Sequence, residues 1–106
     1  MTISTHVLDA AAGRPAAGVP VVLERRIGAT WTKLAAAITD SDGRVANLGV
    51  SSAAGVHRLR FDVETYAGPD AFFPEVVIVF RIDDPAAHHH VPLLLSPFAY
   101  STYRGS

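Results

Sequence analysis

The chain has 106 residues, 49% of them hydrophobic, with 9 Lys+Arg against 10 Asp+Glu and no cysteine. One domain spanning 1–106 is the expectation at this length, and it hides only roughly 60–70% of the surface of its unfolded chain, so its core is modest and self-association is a natural source of further stability. A formal net charge of −1 leaves no electrostatic footprint for nucleic acid or an anionic membrane, while the lack of Cys excludes disulfides, thiolate nucleophiles and sulfur-ligated zinc and fits a cytoplasmic setting.

The opening Met1 to Asp9 has no basic region followed by an apolar run, so a secretory signal is not expected. Ile3 to Leu8 is instead an opening strand, followed by a turn at Gly13-Arg14-Pro15-Ala16-Ala17-Gly18. Val19 to Arg26 alternates, with Val19, Val21 and Leu23 on one face, and Ala29 to Thr39, carrying Trp31 and Leu34, is its hairpin partner. Asp40-Ser41-Asp42-Gly43 is a tight acidic turn in which Gly43 can supply a positive φ, and Arg44 leaves it at the start of a short strand.

A small-residue loop at 51–55 leads to a strand over His57 to Val63, with Leu59, Phe61 and Val63 facing one way. A single helical turn fits Glu64 to Ala71, and Glu75 to Ile82 is the clearest strand in the chain, closed by Asp83-Asp84-Pro85. The stretch from Pro85 to Tyr103 carries no charged side chain, but three consecutive His, Pro92 and Pro97 argue against a membrane helix. His88 to Leu95 and Phe98 to Tyr103 are the last two strands. In the first of them His88, His90, Pro92 and Leu94 share one face and His89, Val91, Leu93 and Leu95 the other. An outward face bearing Pro92 and Leu94 predicts a subunit contact, with two histidines directed into it.

Histidine is the natural candidate for proton transfer, because its ordinary pKa near 6.5 allows both protonation states at neutrality. His57, beside Arg58 with no supporting motif, is expected to be an ordinary surface residue. His6 shares a face with Ser4 and Leu8, and taken alone is more often a packing or interface residue. The His88-His89-His90 run suggests a metal, yet alternation offers only two ligands together, fewer than the roughly three or four a zinc site takes. Spacing alone ends at an all-β oligomer with a histidine-lined interface.

Taken together, Ser4-Thr5-His6-Val7-Leu8-Asp9, Gly13-Arg14-Pro15-Ala16, Thr39-Asp40-Ser41-Asp42-Gly43-Arg44, His88-His89-His90-Val91-Pro92-Leu93-Leu94-Leu95-Ser96-Pro97 and Tyr100-Ser101-Thr102-Tyr103-Arg104-Gly105-Ser106 resemble the transthyretin-like family. The terminal Tyr-Arg-Gly-Ser is similar to its enzyme branch, the 5-hydroxyisourate hydrolases of urate breakdown. The resemblance implies an antiparallel β-sandwich of about seven or eight strands with one short helix, assembled as a homotetramer whose sites lie in a channel between dimers. It also implies His6, Arg44, His90 and Tyr103 as site residues, with no metal or other cofactor and no nucleic-acid or membrane partner. His89 stands where relatives more often carry an aromatic residue. No nucleophilic Cys exists and Ser4, Ser96 and Ser101 lack an elbow motif, so water is the expected nucleophile. His6 or His90 then accepts its proton, with His6 favoured; Arg44 steadies the oxyanion and binds substrate, and Tyr103 positions the ring or the water. The other expectations to be weighed are a non-catalytic carrier of a small aromatic ligand in the same channel, and a divalent metal held by His6, His88 and His90.

Overall fold

Val21, Leu23, Leu59, Phe61, Val76 and Ile78 are all buried, because alternation along three paired strands turns them to one side of a sheet. In the computed structural model, which describes residues 2–49 and 53–106, the elements in order are β1 (Ile3–Asp9), β2 (Arg14–Pro15), β3 (Pro20–Ile27), β4 (Thr30–Ile38), β5 (Arg44–Val45), β6 (Gly55–Asp62), α1 (Val63–Ala67), β7 (Glu75–Ile82), β8 (His89–His90), β9 (Leu93–Ser96) and β10 (Ala99–Thr102). One sheet has the order β4-β3-β6-β7, all antiparallel; the other has the order β10-β9-β1-β2, with β5 and β8 also paired to β1. The core lies between them, where Ile3, Val7, Leu93 and Leu95 meet Leu23, Leu59, Phe61 and Ile82.

The all-β sandwich with a single short helix is as expected, and several details differ. The expected strand over His88 to Leu95 is two strands, because Pro92 has no N–H to give to a ladder; β8 pairs with β1 at Ser4↔His90 and the pairing resumes at Val7↔Leu93. Both pairings are parallel, so the second sheet is mixed rather than antiparallel. Pro92 lies between the core residues Val91 and Leu93 as alternation expects, but it is buried within the chain rather than exposed, and its carbonyl accepts from Thr102 Oγ1 at 2.7 Å. Leu94 on the same face is half-buried.

His57 is not a surface residue. It is fully buried, on the inward face with Leu59 and Phe61, its Nδ1 is 3.0 Å from the Gly55 carbonyl and its ring lies 6.0 Å from that of Phe80. The alternation already noted for this strand put residue 57 inside. Val63 begins the helix rather than ending the strand, and Asp62 caps it by accepting from the Thr65 N–H at 3.1 Å. Residues 51 and 52 of the expected small-residue loop lie outside the described residues, and Gly55 already belongs to β6.

Candidate functional site

Three short stretches of backbone bring the site together around β1. On one edge of β1 the pairing His6↔Arg44 sets Arg44 opposite His6, and on the other Ser4↔His90 sets His90 opposite Ser4. Residues opposite one another share a sheet face, as do residues two apart on a strand, so Ser4, His6, Arg44 and His90 all rise from the same side.

Arg44 is delivered by the Asp40-to-Gly43 turn. Asp40 Oδ1 accepts from the N–H groups of Asp42 and Arg44 at 2.9 and 3.0 Å, and the Gly43 N–H donates to the Asp40 carbonyl at 2.9 Å. Gly43 has φ 73, and a Cβ there would lie 2.4 Å from the Val7 carbonyl oxygen, so glycine is required both for the turn and for its close approach to β1.

Ser4, Arg44, His88, His90 and Ser106 line one cleft. Ser4 Oγ lies 2.7 Å from His90 Nδ1 and 3.0 Å from His88 Nε2, and Thr2 Oγ1 contacts His88 Nδ1. His6 follows along β1, and its Nε2 lies 2.9 Å from the Asp42 carbonyl oxygen; since a carbonyl only accepts, this nitrogen carries the proton. Gly105 closes the cleft from the C-terminal side. Its N–H donates to the His90 carbonyl at 2.9 Å, and a Cβ at this position would lie 2.4 Å from His90 Cδ2. Glycine therefore lets the terminal segment lie flat against the imidazole.

Burial pushes the His90 imidazole below its ordinary pKa, with the positive charge of Arg44 next in importance and His88 and His6 after it; the Ser4 backbone carbonyl, accepting from the ring, works the other way. His90 is thus held neutral beside a guanidinium that keeps its charge. Such a pair can accept a proton at one atom and steady negative charge at another.

Not every expected site residue meets in this cleft. Tyr103 is 57% exposed and lines the adjoining hollow with His90, Thr102 and Arg104. The expected metal trio does not converge either, since His6 is turned to Asp42 while His88 and His90 share a serine hydroxyl. Among the described residues no three His, Asp or Glu side chains gather as ligands. A more apolar hollow at the other end of β1, bounded by Asp9, Tyr66, Phe72, Phe73 and Phe98, contains no histidine. Sequence reasoning missed Ser4 and Gly105 as parts of the site. The available signals were the spacing of Ser4 two residues before His6 and the placement of Gly105 in the terminal motif.

The model of the HIUase/Transthyretin family matches residues 3–105. The chain belongs to that family. A protein of Salmonella dublin named 5-hydroxyisourate hydrolase is 46% identical over 109 residues, covering 98% of this chain and 80% of the relative. The structure of Klebsiella pneumoniae 5-hydroxyisourate hydrolase matches with a TM-score of 0.86 and 38% identity, covering 100% of both chains. Sea bream transthyretin in complex with thyroxine matches with a TM-score of 0.89 and 32% identity, covering 99% of this chain and 95% of the other. Hydrolase and transthyretin backbones fit this chain about equally well, so within the family side chains, not shape, distinguish an enzyme from a carrier.

Proposed function

We propose that this chain is a 5-hydroxyisourate hydrolase, opening the six-membered ring of 5-hydroxyisourate at an amide carbonyl to yield 2-oxo-4-hydroxy-4-carboxy-5-ureidoimidazoline. The observation that carries the assignment is a neutral imidazole, His90, and the Arg44 guanidinium in one cleft. A carrier of an aromatic ligand has no use for a proton acceptor beside a fixed positive charge.

In the reaction, water adds to the ring carbonyl carbon as His90 takes its proton, and the carbonyl becomes an oxyanion steadied by the planar fork of Arg44. The carbon–nitrogen bond then breaks, and the proton passes from His90 to the leaving nitrogen. A carboxylate and a ureido group result. His90 is the base in this scheme, held neutral by burial beside Arg44, and His6, whose Nε2–H donates to the Asp42 carbonyl, orients substrate from the neighbouring position on β1. Tyr103 positions the ring from the adjoining hollow.

The working form is a homotetramer with its sites in a channel between dimers. Its support is the apolar exposure on two outer strands: β10 with Phe98 before it and Tyr100 within it, and β7 with Val77 and Val79. Unpaired, apolar sheet edges favour association. A cytoplasmic setting is supported by the cysteine-free composition, and no helix among the described residues is long and apolar enough to cross a membrane.

The direct test generates 5-hydroxyisourate from urate with urate oxidase and follows its ultraviolet decay with and without the protein. Acceleration is expected. Decay at the spontaneous rate would overturn the assignment.

A further inference from the structure

Ser4 and His88 take part in no step above, yet both are hydrogen-bonded in series to the imidazole that does. Ser4 Oγ sits between His88 Nε2 at 3.0 Å and His90 Nδ1 at 2.7 Å, and the two imidazoles stack with centroids 6.5 Å apart at 14°. Ser4 is 7% exposed, so its hydroxyl is confined to these partners.

A serine hydroxyl has one proton to donate. If it donated to His90 Nδ1, the proton of neutral His90 would sit on Nε2 and no lone pair would remain for water. If it donates to His88 Nε2, His90 Nδ1–H donates to Ser4 Oγ and His90 Nε2 is free. The geometry fits the second, because His88 Nε2, 3.0 Å from the same hydroxyl, gives Ser4 an acceptor of its own and leaves Oγ to accept from His90 at 2.7 Å. The nitrogen beside Ser4 is therefore the protonated one. His88 then carries its own proton on Nδ1, where Thr2 Oγ1 accepts it. Every contact in the series Thr2, His88, Ser4, His90 has one donor and one acceptor.

We propose that Ser4 and His88 are positioning residues that hold His90 with its proton on Nδ1 and its base lone pair on Nε2. The pattern needs no rearrangement when Nε2 is protonated, since Nδ1–H already donates to Ser4 and Ser4 to His88. The charged and titratable groups facing His90 are Arg44 from β5, His6 from β1 and His88 ahead of β8, and none of them supplies an acceptor for Nδ1–H. That task falls to Ser4. The role of the pair in turnover rests on the hydrolase assignment, whereas the tautomer does not.

The test pairs nitrogen NMR of the ¹⁵N-histidine-labelled protein at pH 8 with kinetics. The His90 signal, identified by its loss in His90→Gln, is expected to show the Nδ1–H form in the wild type. In Ser4→Ala, Nε2–H should become populated. Against 5-hydroxyisourate, Ser4→Ala and His88→Phe should each lower kcat roughly 10–100-fold with KM little changed, as loss of a partner that orients a functional histidine commonly does. His88→Gln, which can place an amide oxygen near the Nε2 position, should recover most of the rate. A wild-type signal of the Nε2–H form, or unchanged kcat in folded Ser4→Ala, overturns the proposal. If the Nδ1–H form is observed but 5-hydroxyisourate decay is not accelerated, the tautomer stands and it is the hydrolase assignment that fails.

Discussion

Arg44 owes its position to the glycine before it. A side chain at residue 43 would collide with the Val7 carbonyl, and without that approach Arg44 could not pair across from His6. At the other side of β1, Gly105 lets the chain lie on the His90 ring. Two glycines thus let the Arg44 turn approach β1 and the terminal segment approach His90. What Arg44 contributes beyond charge is a planar, two-pronged donor. Arg44→Lys keeps the charge and loses the fork, so turnover should fall roughly 100-fold or more, the range seen when an oxyanion donor is removed, with circular dichroism and thermal midpoint unchanged. A wild-type rate in the folded variant would remove Arg44 from the mechanism.

At the scale of elements, α1 is five residues long, too short to be stable by its own hydrogen bonds. It is held by Asp62 at its N-terminus and by Tyr66, whose hydroxyl donates to Asp9 Oδ2 at 2.7 Å and so ties the helix to the end of β1. The Tyr66 bond, together with the Ala12 N–H, holds the Asp9 carboxyl below its ordinary pKa. A carboxyl lowered on folding adds stability above its unfolded value of about 3.9, and that stability is lost as the pH falls through the folded value. Tyr66→Phe should cost about 1 kcal/mol at pH 7 and flatten the dependence of stability on pH below about 4. Urea denaturation of both proteins at pH 7 and pH 3 measures both effects, and equal stability at pH 7 would show that the tie contributes nothing.

For the whole molecule, the single interior between two sheets makes burial a shared constraint on chemistry. His57 lies in that interior, where burial holds its imidazole below its ordinary pKa, with Arg25 and His89 adding to the effect. The unfolded chain therefore binds a proton more readily than the folded one below a pH of about 6.5. Stability should be level above that pH and decline as the pH falls beneath it, until the folded group also titrates. His57→Phe removes this titration and should have a shallower decline between pH 6.5 and 5 in urea melts; an unchanged slope would clear His57 of any part in acid sensitivity. Assembly is the other property at this scale. Light scattering should give about four times the chain mass of 11.3 kDa, and a monodisperse monomer with full activity would contradict a site shared between dimers.

Much of the fold was legible because strand alternation and turn chemistry are local. β3, β7 and the acidic turn before Arg44 are found where composition and pattern place them, and the terminal motif pointed to the family now matched over residues 3–105. The candidate site residues were legible as residue types, by resemblance. Their assembly was not, because Ser4 and His90, separated by 86 positions, meet only through the parallel register of β8 on β1. Pro92 interrupts the ladder without changing that register, which is the same at Ser4↔His90 and Val7↔Leu93. His57 was misjudged because histidine in general is partly exposed, while its own strand position beside Leu59 and Phe61 pointed inward. Periodicity determined which side of each strand faces the core; tertiary packing decided which strands lie side by side, and with that which hydroxyl and guanidinium lie around His90.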